Sequence, residues 1–224
     1  MIIAQHGINS LVTKPEGLVA CVSGTNYYGF SDVTFTSNST ELVSDVLDQP
    51  VYANVGTSAS HLIRSTDSSI IDLIKNNSFT IEGWFKRRYI GSGGNVGAGS
   101  PLFGIFNTSD PTYWCLAVGL TYDGFLSLWI NDSNRADMSQ VTNDDNYHHI
   151  ALTRNKTDNK YYVHVDGNQK LYVIDANNIS SSNIFYMTLV YDSRVDFNMI
   201  QLCIYDYPKY SLGNFTPSRK VINI

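Results

Sequence analysis

The stretch Ser78-Phe79-Thr80-Ile81-Glu82-Gly83-Trp84-Phe85-Lys86 decides how the fold is read. Its alternation puts Phe79, Ile81 and Phe85 on one face of an extended strand. Upstream, residues 33–63 hold short apolar groups among Ser, Thr and Asn, the pattern of short strands with one wet face. Residues 68–74 make a helical turn started by a Ser or Asp cap, and Asn76-Asn77-Ser78 marks a turn. Downstream, a glycine-rich loop (91–100) ends at Pro101. Strands are expected at 102–106, 113–120, 125–131, 148–154, 161–166, 170–174, 184–191 and 199–206. Tyr122-Asp123-Gly124 and Asp166-Gly167 supply turns between them. Strands at short, regular intervals indicate an all-β sandwich or barrel. No composition shift divides the chain, so 1–224 reads as one domain, with residues 1–20 as a first strand or a docking arm.

Composition agrees. Only 16% of the 224 residues are charged, against the usual ~25%, and glutamate occurs only at Glu16, Glu41 and Glu82. A chain leaning on Asn, Ser, Thr, Tyr and Val disfavours helical bundles and most α/β enzymes. With 43% hydrophobic residues, a sizeable core can be buried. A net charge of -5, with no basic cluster longer than Lys86-Arg87-Arg88, is wrong for phosphate neutralisation, so no nucleic-acid partner is expected. No apolar run approaches the ~20 residues of a membrane span. The start, Met1-Ile2-Ile3-Ala4-Gln5-His6-Gly7, has neither a basic nor an apolar signal region, and no secretion signal is expected. Cys21, Cys115 and Cys203 are odd in number and far apart, and read as buried reduced thiols.

Three stretches, in order, resemble the concanavalin A-like, laminin G-like jelly-roll superfamily. The first is the 78–86 strand. The second is Tyr147-His148-His149-Ile150-Ala151-Leu152-Thr153-Arg154 with Tyr161-Tyr162-Val163-His164-Val165-Asp166-Gly167, with Tyr147 where the family usually has Trp. The third is the strand 197–206 with Tyr210-Ser211-Leu212-Gly213-Asn214-Phe215-Thr216-Pro217, an exit common in bacteriophage members. The resemblance spans 78–217 and implies a jelly-roll sandwich of two antiparallel sheets. Its motif residues have a packing role, so it speaks to architecture more than to chemistry.

Glycoside hydrolases on this fold need two carboxylates flanking the scissile bond. The compact Glu-x-Asp strand of such enzymes is missing, since Gly83 and Trp84 follow Glu82. Asp144 and Asp145 are adjacent and read as a loop, so no catalytic residue is assigned. His148 and His149 diverge along a strand, and His149 falls at the family's framework position, so a hydrogen-bonded structural imidazole is favoured over a metal ligand. No cofactor is expected. The resemblance does admit Ca²⁺, for which Asn107-Thr108-Ser109-Asp110, Asn131-Asp132-Ser133-Asn134 and Asn143-Asp144-Asp145-Asn146 offer oxygen ligands without an EF-hand spacing.

Glycan binding fits best among small-ligand activities, because sugar faces stack on aromatic rings and hydroxyls pair with polar side chains. Tyr113, Trp114, Asp132 and Arg135 form the candidate site, with Tyr27, Tyr28 and Tyr186 as further aromatics beside polar loops. The exit motif motivates the expectation of a non-enzymatic bacteriophage virion protein: a capsid decoration, head-fibre, tail or baseplate subunit. Located in the virion, it would be present in multiple copies or as a homo-oligomer, contacting other virion proteins through its N-terminal segment and host glycans through its surface. The alternative is a stand-alone carbohydrate-binding or adhesion module.

Overall fold

The computed structural model describes residues 14–23, 26–35, 40–45, 49–54, 60–89, 100–107, 110–120, 125–140, 144, 146–180, 184–190 and 195–218. In chain order the described strands are β1 (Leu18–Ser23), β2 (Asn26–Tyr28), β3 (Thr34–Phe35), β4 (Thr40–Asp45), β5 (Gln49–Asn54) and β6 (Ser60–Ser65). Helix α1 (Ser68–Asn76) follows, then β7 (Phe79–Tyr89), β8 (Ser100–Asn107), β9 (Asp110–Leu120), β10 (Phe125–Ile130) and β11 (Ser133–Gln140). The series ends with β12 (Tyr147–Asn155), β13 (Lys160–Val165), β14 (Asn168–Ile174), β15 (Ile184–Val190) and β16 (Val195–Tyr205). One sheet runs β14-β13-β12-β7-β16-β1-β2, with β5 also on β16 and β4 on β5. The other runs β11-β10-β9-β8-β15-β6-β3. This is the antiparallel two-sheet sandwich expected from the pattern of strands.

Phe79, Ile81 and Phe85 of β7 do share the inner face. They are buried with Phe103 and Ile105 of β8, Leu128 of β10, Leu152 of β12 and Leu202 of β16 in one cluster between the sheets. Helix α1 packs Ile70, Ile71 and Ile74 into the same cluster. Asp67 caps its start, accepting from the N–H groups of Ser69 (2.9 Å) and Ile70 (3.4 Å). At its other end the fully buried Arg154 donates through Nη1 to the carbonyls of Ile74 (3.2 Å) and Lys75 (2.7 Å). A cation on the last carbonyls complements the helix dipole and ties α1 to β12.

Asp166 and Gly167 both have positive φ (50° and 74°) and close the β13–β14 hairpin in two residues. Asn131 and Asp132 do the same (51° and 57°) between β10 and β11. The stretch 131–134 is therefore a tight turn leading into β11, and not the open oxygen-rich loop expected from composition. Strand β11 was absent from the expected series because Ser-Asn-Arg-Ala-Asp-Met-Ser-Gln carries little hydrophobic alternation. It lies at the sheet edge, where charged and polar residues guard against further pairing.

The expectation of three reduced thiols is corrected. Cys21 of β1 and Cys203 of β16 are direct cross-strand partners, 4.1 Å apart at Cα, and form a disulfide; Cys115 is free and buried. A separation of 182 residues hides this pair until the first and last strands are laid side by side. That pairing also bounds any docking arm. Residues 18–20 belong to β1, which is hydrogen-bonded between β16 and β2, so only chain ahead of it is available as an arm. Residues 1–13 lie outside the described ones.

A cross-link closing so long a loop restricts the unfolded chain, an effect of about 2–4 kcal/mol. Urea unfolding with and without dithiothreitol should show the reduced protein less stable by that amount, while Cys115→Ser leaves the difference intact. Identical midpoints in the two conditions would show that the bond contributes nothing.

Candidate functional site

The two outer faces of the sandwich differ in kind. On the seven-stranded sheet, Trp129 of β10 lies opposite Ala117 of β9, Ala117 opposite Gly104 of β8, Gly104 opposite Tyr186 of β15, and Tyr186 opposite Arg64 of β6. At ~4.8 Å per strand, Trp129 and Tyr186 stand about 14 Å apart along this row. The next row holds Trp114, Phe106 and Ile184. Ring centroids link Trp129 to Trp114 (5.0 Å), Trp114 to Phe106 (6.3 Å) and Phe106 to Tyr186 (5.3 Å), all edge to face. Phe106, Trp114, Ala117 and Ile184 are buried, while Trp129 and Tyr186 remain partly exposed.

Small residues make this aromatic shelf low. Ala117 has no bulk to lift the rings, and a Cβ on Gly104 would collide with the Leu116 carbonyl oxygen and come within 2.8 Å of the Ala117 Cβ. Trp129 is further held by its indole N–H, which donates to Ser127 Oγ at 3.0 Å. Arg64 is partly buried and has no carboxylate partner among the described residues.

Of the expected glycan contacts, the structure brings Trp114 and Asp132 together at one end of the shelf, where the Asp132 N–H donates to the Trp114 carbonyl at 2.8 Å. Asp132 is exposed, but the Trp114 side chain is only 8% exposed and supports Trp129 from below. Tyr113 lies on β9 and Arg135 on β11; their side chains fall outside the described ones. Sequence reasoning missed Trp129 and Arg64. A signal existed: in Phe125-Leu-Ser-Leu-Trp-Ile130, Trp129 shares the strand face of Ser127, opposite Leu126, Leu128 and Ile130.

Part of the outer face of the nine-stranded sheet, over β7, β12 and β13, is covered by the chain itself, through residues 206–218. Glu82 of β7, buried, accepts from Lys209 Nζ and Tyr210 Oη at 2.5 Å each and lies 3.4 Å from His149 Nε2. The Lys209 N–H donates to Thr80 Oγ1, which donates onward to the Tyr207 carbonyl. Tyr210 and Phe215 stack at 3.6 Å, with the edges of His149 and His164 against them. His164 Nε2 reaches the Gly213 carbonyl (3.0 Å), and Asn214 Oδ1 accepts from the Gln169 N–H (3.0 Å). The Phe215 N–H donates to the Gly167 carbonyl, and the Phe215 carbonyl sits where a Cβ on Gly167 would be. The Tyr210–Pro217 exit motif is therefore a docking motif. Its aromatic, Gly and Asn residues each meet a group on β7, β12, β13, β14 or the β13–β14 turn.

His148 and His149 part company as expected for strand neighbours. His148 bridges Asp166 (2.6 Å) and Asp144 (2.7 Å), and hydrogen bonding to Asp166 raises its pKa.

Beside Glu82, a cavity of about 180 Å³ opens between the sheet and the tail. Burial works against the Glu82 charge, but the His149 hydrogen bond and the Lys209 ammonium outweigh it and hold the carboxyl at about 2. Burial, then the Glu82 charge, pushes the Tyr210 and Tyr205 hydroxyls up. His164 is pushed below its ordinary value by burial.

Both Glu82 and His164 have depressed folded-state values, so each stabilises above its ordinary pKa and loses that contribution as pH falls. Stability should drop first below about 6.5, as His164 charges, and again between about 4.5 and 2, as Glu82 is neutralised. Urea midpoints measured across this range should show a smaller lower limb in Glu82→Gln, with the part due to Asp67 and the other hydrogen-bonded aspartates left, and a smaller upper limb in His164→Gln. An unchanged profile in both variants would contradict the role of these two groups in holding the tail.

No family model and no curated protein sequence matches this chain. Solved structures do share its architecture. Trypanosoma rangeli sialidase superposes with a TM-score of 0.52 at 15% identity, over 87% of this chain and 31% of the sialidase. The CBM40 domain of the Ruminococcus gnavus IT-sialidase, bound to alpha2,3 sialyllactose, gives 0.51 at 12% identity, over 65% of this chain and 84% of that domain. The botulinum neurotoxin type G receptor binding domain gives 0.55 at 12% identity, over 87% and 49%. The chain thus spans about a third of the sialidase and about half of the toxin domain. At these identities the likeness is one of fold: an antiparallel jelly-roll-like β-sandwich.

Proposed function

We propose that the chain is a non-catalytic carbohydrate-binding module whose ligand lies on the outer face of the seven-stranded sheet. The observation that carries this reading is the row Trp129–Ala117–Gly104–Tyr186–Arg64. Two partly exposed rings, on strands about 14 Å apart, offer stacking surfaces for sugar rings, a span suited to a short oligosaccharide. Arg64, next to Tyr186, adds a planar fork of donors for hydroxyls or an acidic group at one end. The sandwich shared with a CBM40 domain bound to a sialylated sugar supports the reading.

Catalysis is disfavoured by the state of Glu82. A general acid must keep its proton near neutral pH, whereas this carboxylate is held at about 2. No second carboxylate lines its cavity among the described residues.

The virion setting implied by the exit motif is the finer reading. The docking role of that motif accounts for its residues without reference to a particle, so the carbohydrate-binding reading leads. Mass spectrometry of purified particles from the source tests the setting independently of sugar binding.

On a glycan array the protein should bind a restricted set of oligosaccharides. Trp129→Ala and Tyr186→Ala should each weaken the best ligand by about 30-fold, the effect of a ~2 kcal/mol hot spot. Arg64→Ala should act mainly on acidic glycans. Full binding by a Trp129→Ala/Tyr186→Ala double variant would remove the shelf from consideration, and release of reducing ends from any bound glycan would overturn the non-catalytic assignment.

A further inference from the structure

The cavity beside Glu82 lies on the opposite sheet from the aromatic shelf and has its own chemistry. Trp84 and His149 wall it from the sheet, Lys209 and Tyr210 from the returning tail, and Pro15 from the segment ahead of β1. Charge selects against ions. The Glu82 carboxylate is matched by the Lys209 ammonium, and it also accepts from Tyr210 with His149 Nε2 close by. Little of that carboxylate remains for a cation, and the paired charges leave no net positive charge to draw an anion.

Neutral hydrogen-bonding capacity does remain. Lys209 uses one of three N–H donors on Glu82 and keeps a side chain 27% exposed. Trp84, partly exposed, contributes an apolar ring face. A volume of about 180 Å³ equals that of roughly six water molecules, too small for an oligosaccharide but enough to seat much of one ring in a half-open site.

The geometry points to a second ligand site here, one that takes a single neutral sugar ring or cyclic polyol. The ring lies against Trp84 and accepts from Lys209 Nζ. This assignment does not rest on the shelf. If both faces bind, the two sites sit back to back across the sandwich, a geometry that links two glycan-bearing surfaces and does not clamp one.

The test is nitrogen-15 NMR of the full chain, following the indole N–H signals of Trp84, Trp114 and Trp129. The probes are methyl galactoside, methyl glucoside, methyl N-acetylglucosaminide and myo-inositol. At least one should shift the Trp84 signal saturably in the millimolar range. Trp129→Ala should leave that titration unchanged, whereas Trp84→Ala, followed by the Tyr210 amide, should weaken it at least tenfold. No Trp84 shift with any probe up to about 50 mM, beyond the range of useful affinity, would overturn the site. So would shifts confined to Trp129, which would assign the ring to the shelf. Loss of array binding in Trp129→Ala with an intact Trp84 titration separates the two sites.

Discussion

A single buried carboxylate organises one side of this protein. Glu82 sits on the central strand β7, which pairs with β12 and β16, and it gathers Lys209 and Tyr210 from the tail with His149 from β12 around itself. A carboxylate withdrawn from water is costly unless its oxygens are filled by donors. Here the donors come largely from a tail that has no strand to pair with. Desolvating Glu82 and ordering residues 206–218 are therefore one event, and the histidine edges under the Tyr210–Phe215 stack complete it.

Closing one face sets the roles of both. A sandwich has two outer surfaces, and the chain spends its own C-terminal segment covering the β7, β12 and β13 part of the nine-stranded one. At the tail's margin lies a small polar cavity. The other sheet carries an edge-to-face row of rings beside Ala117 and Gly104, with Trp129 and Tyr186 partly exposed. The proposed ligands differ accordingly: an oligosaccharide on the shelf, a single ring in the cavity. Both use the same physics, an aromatic face for the sugar's C–H surface and a few polar groups for its hydroxyls.

Much of this architecture was legible in the residues. The alternation of Phe79, Ile81 and Phe85, the Asp67 cap, and the Asp166-Gly167 turn all appear where the pattern places them. These are local signals, set by side-chain period or by φ preference. Strand β11 was not legible, because an edge strand with polar residues has the composition of a loop. Neither was the disulfide, since spacing along the chain carries no information about strands joined only in the final sheet.

The candidate site shows the same division more sharply. Trp114 looked like a ligand contact because it lies beside a polar loop, yet its neighbours across the sheet bury it and leave Trp129 as the partly exposed ring. By itself the sequence determined an all-β sandwich, the inner face of its strands and a shortage of glutamate. Each of these depends on residue type and period alone. Only the tertiary structure decided which aromatic rings are exposed, that Glu82 anchors the tail, and that Cys21 meets Cys203. Those outcomes depend on the order of strands in each sheet, which brings together residues that no local pattern connects.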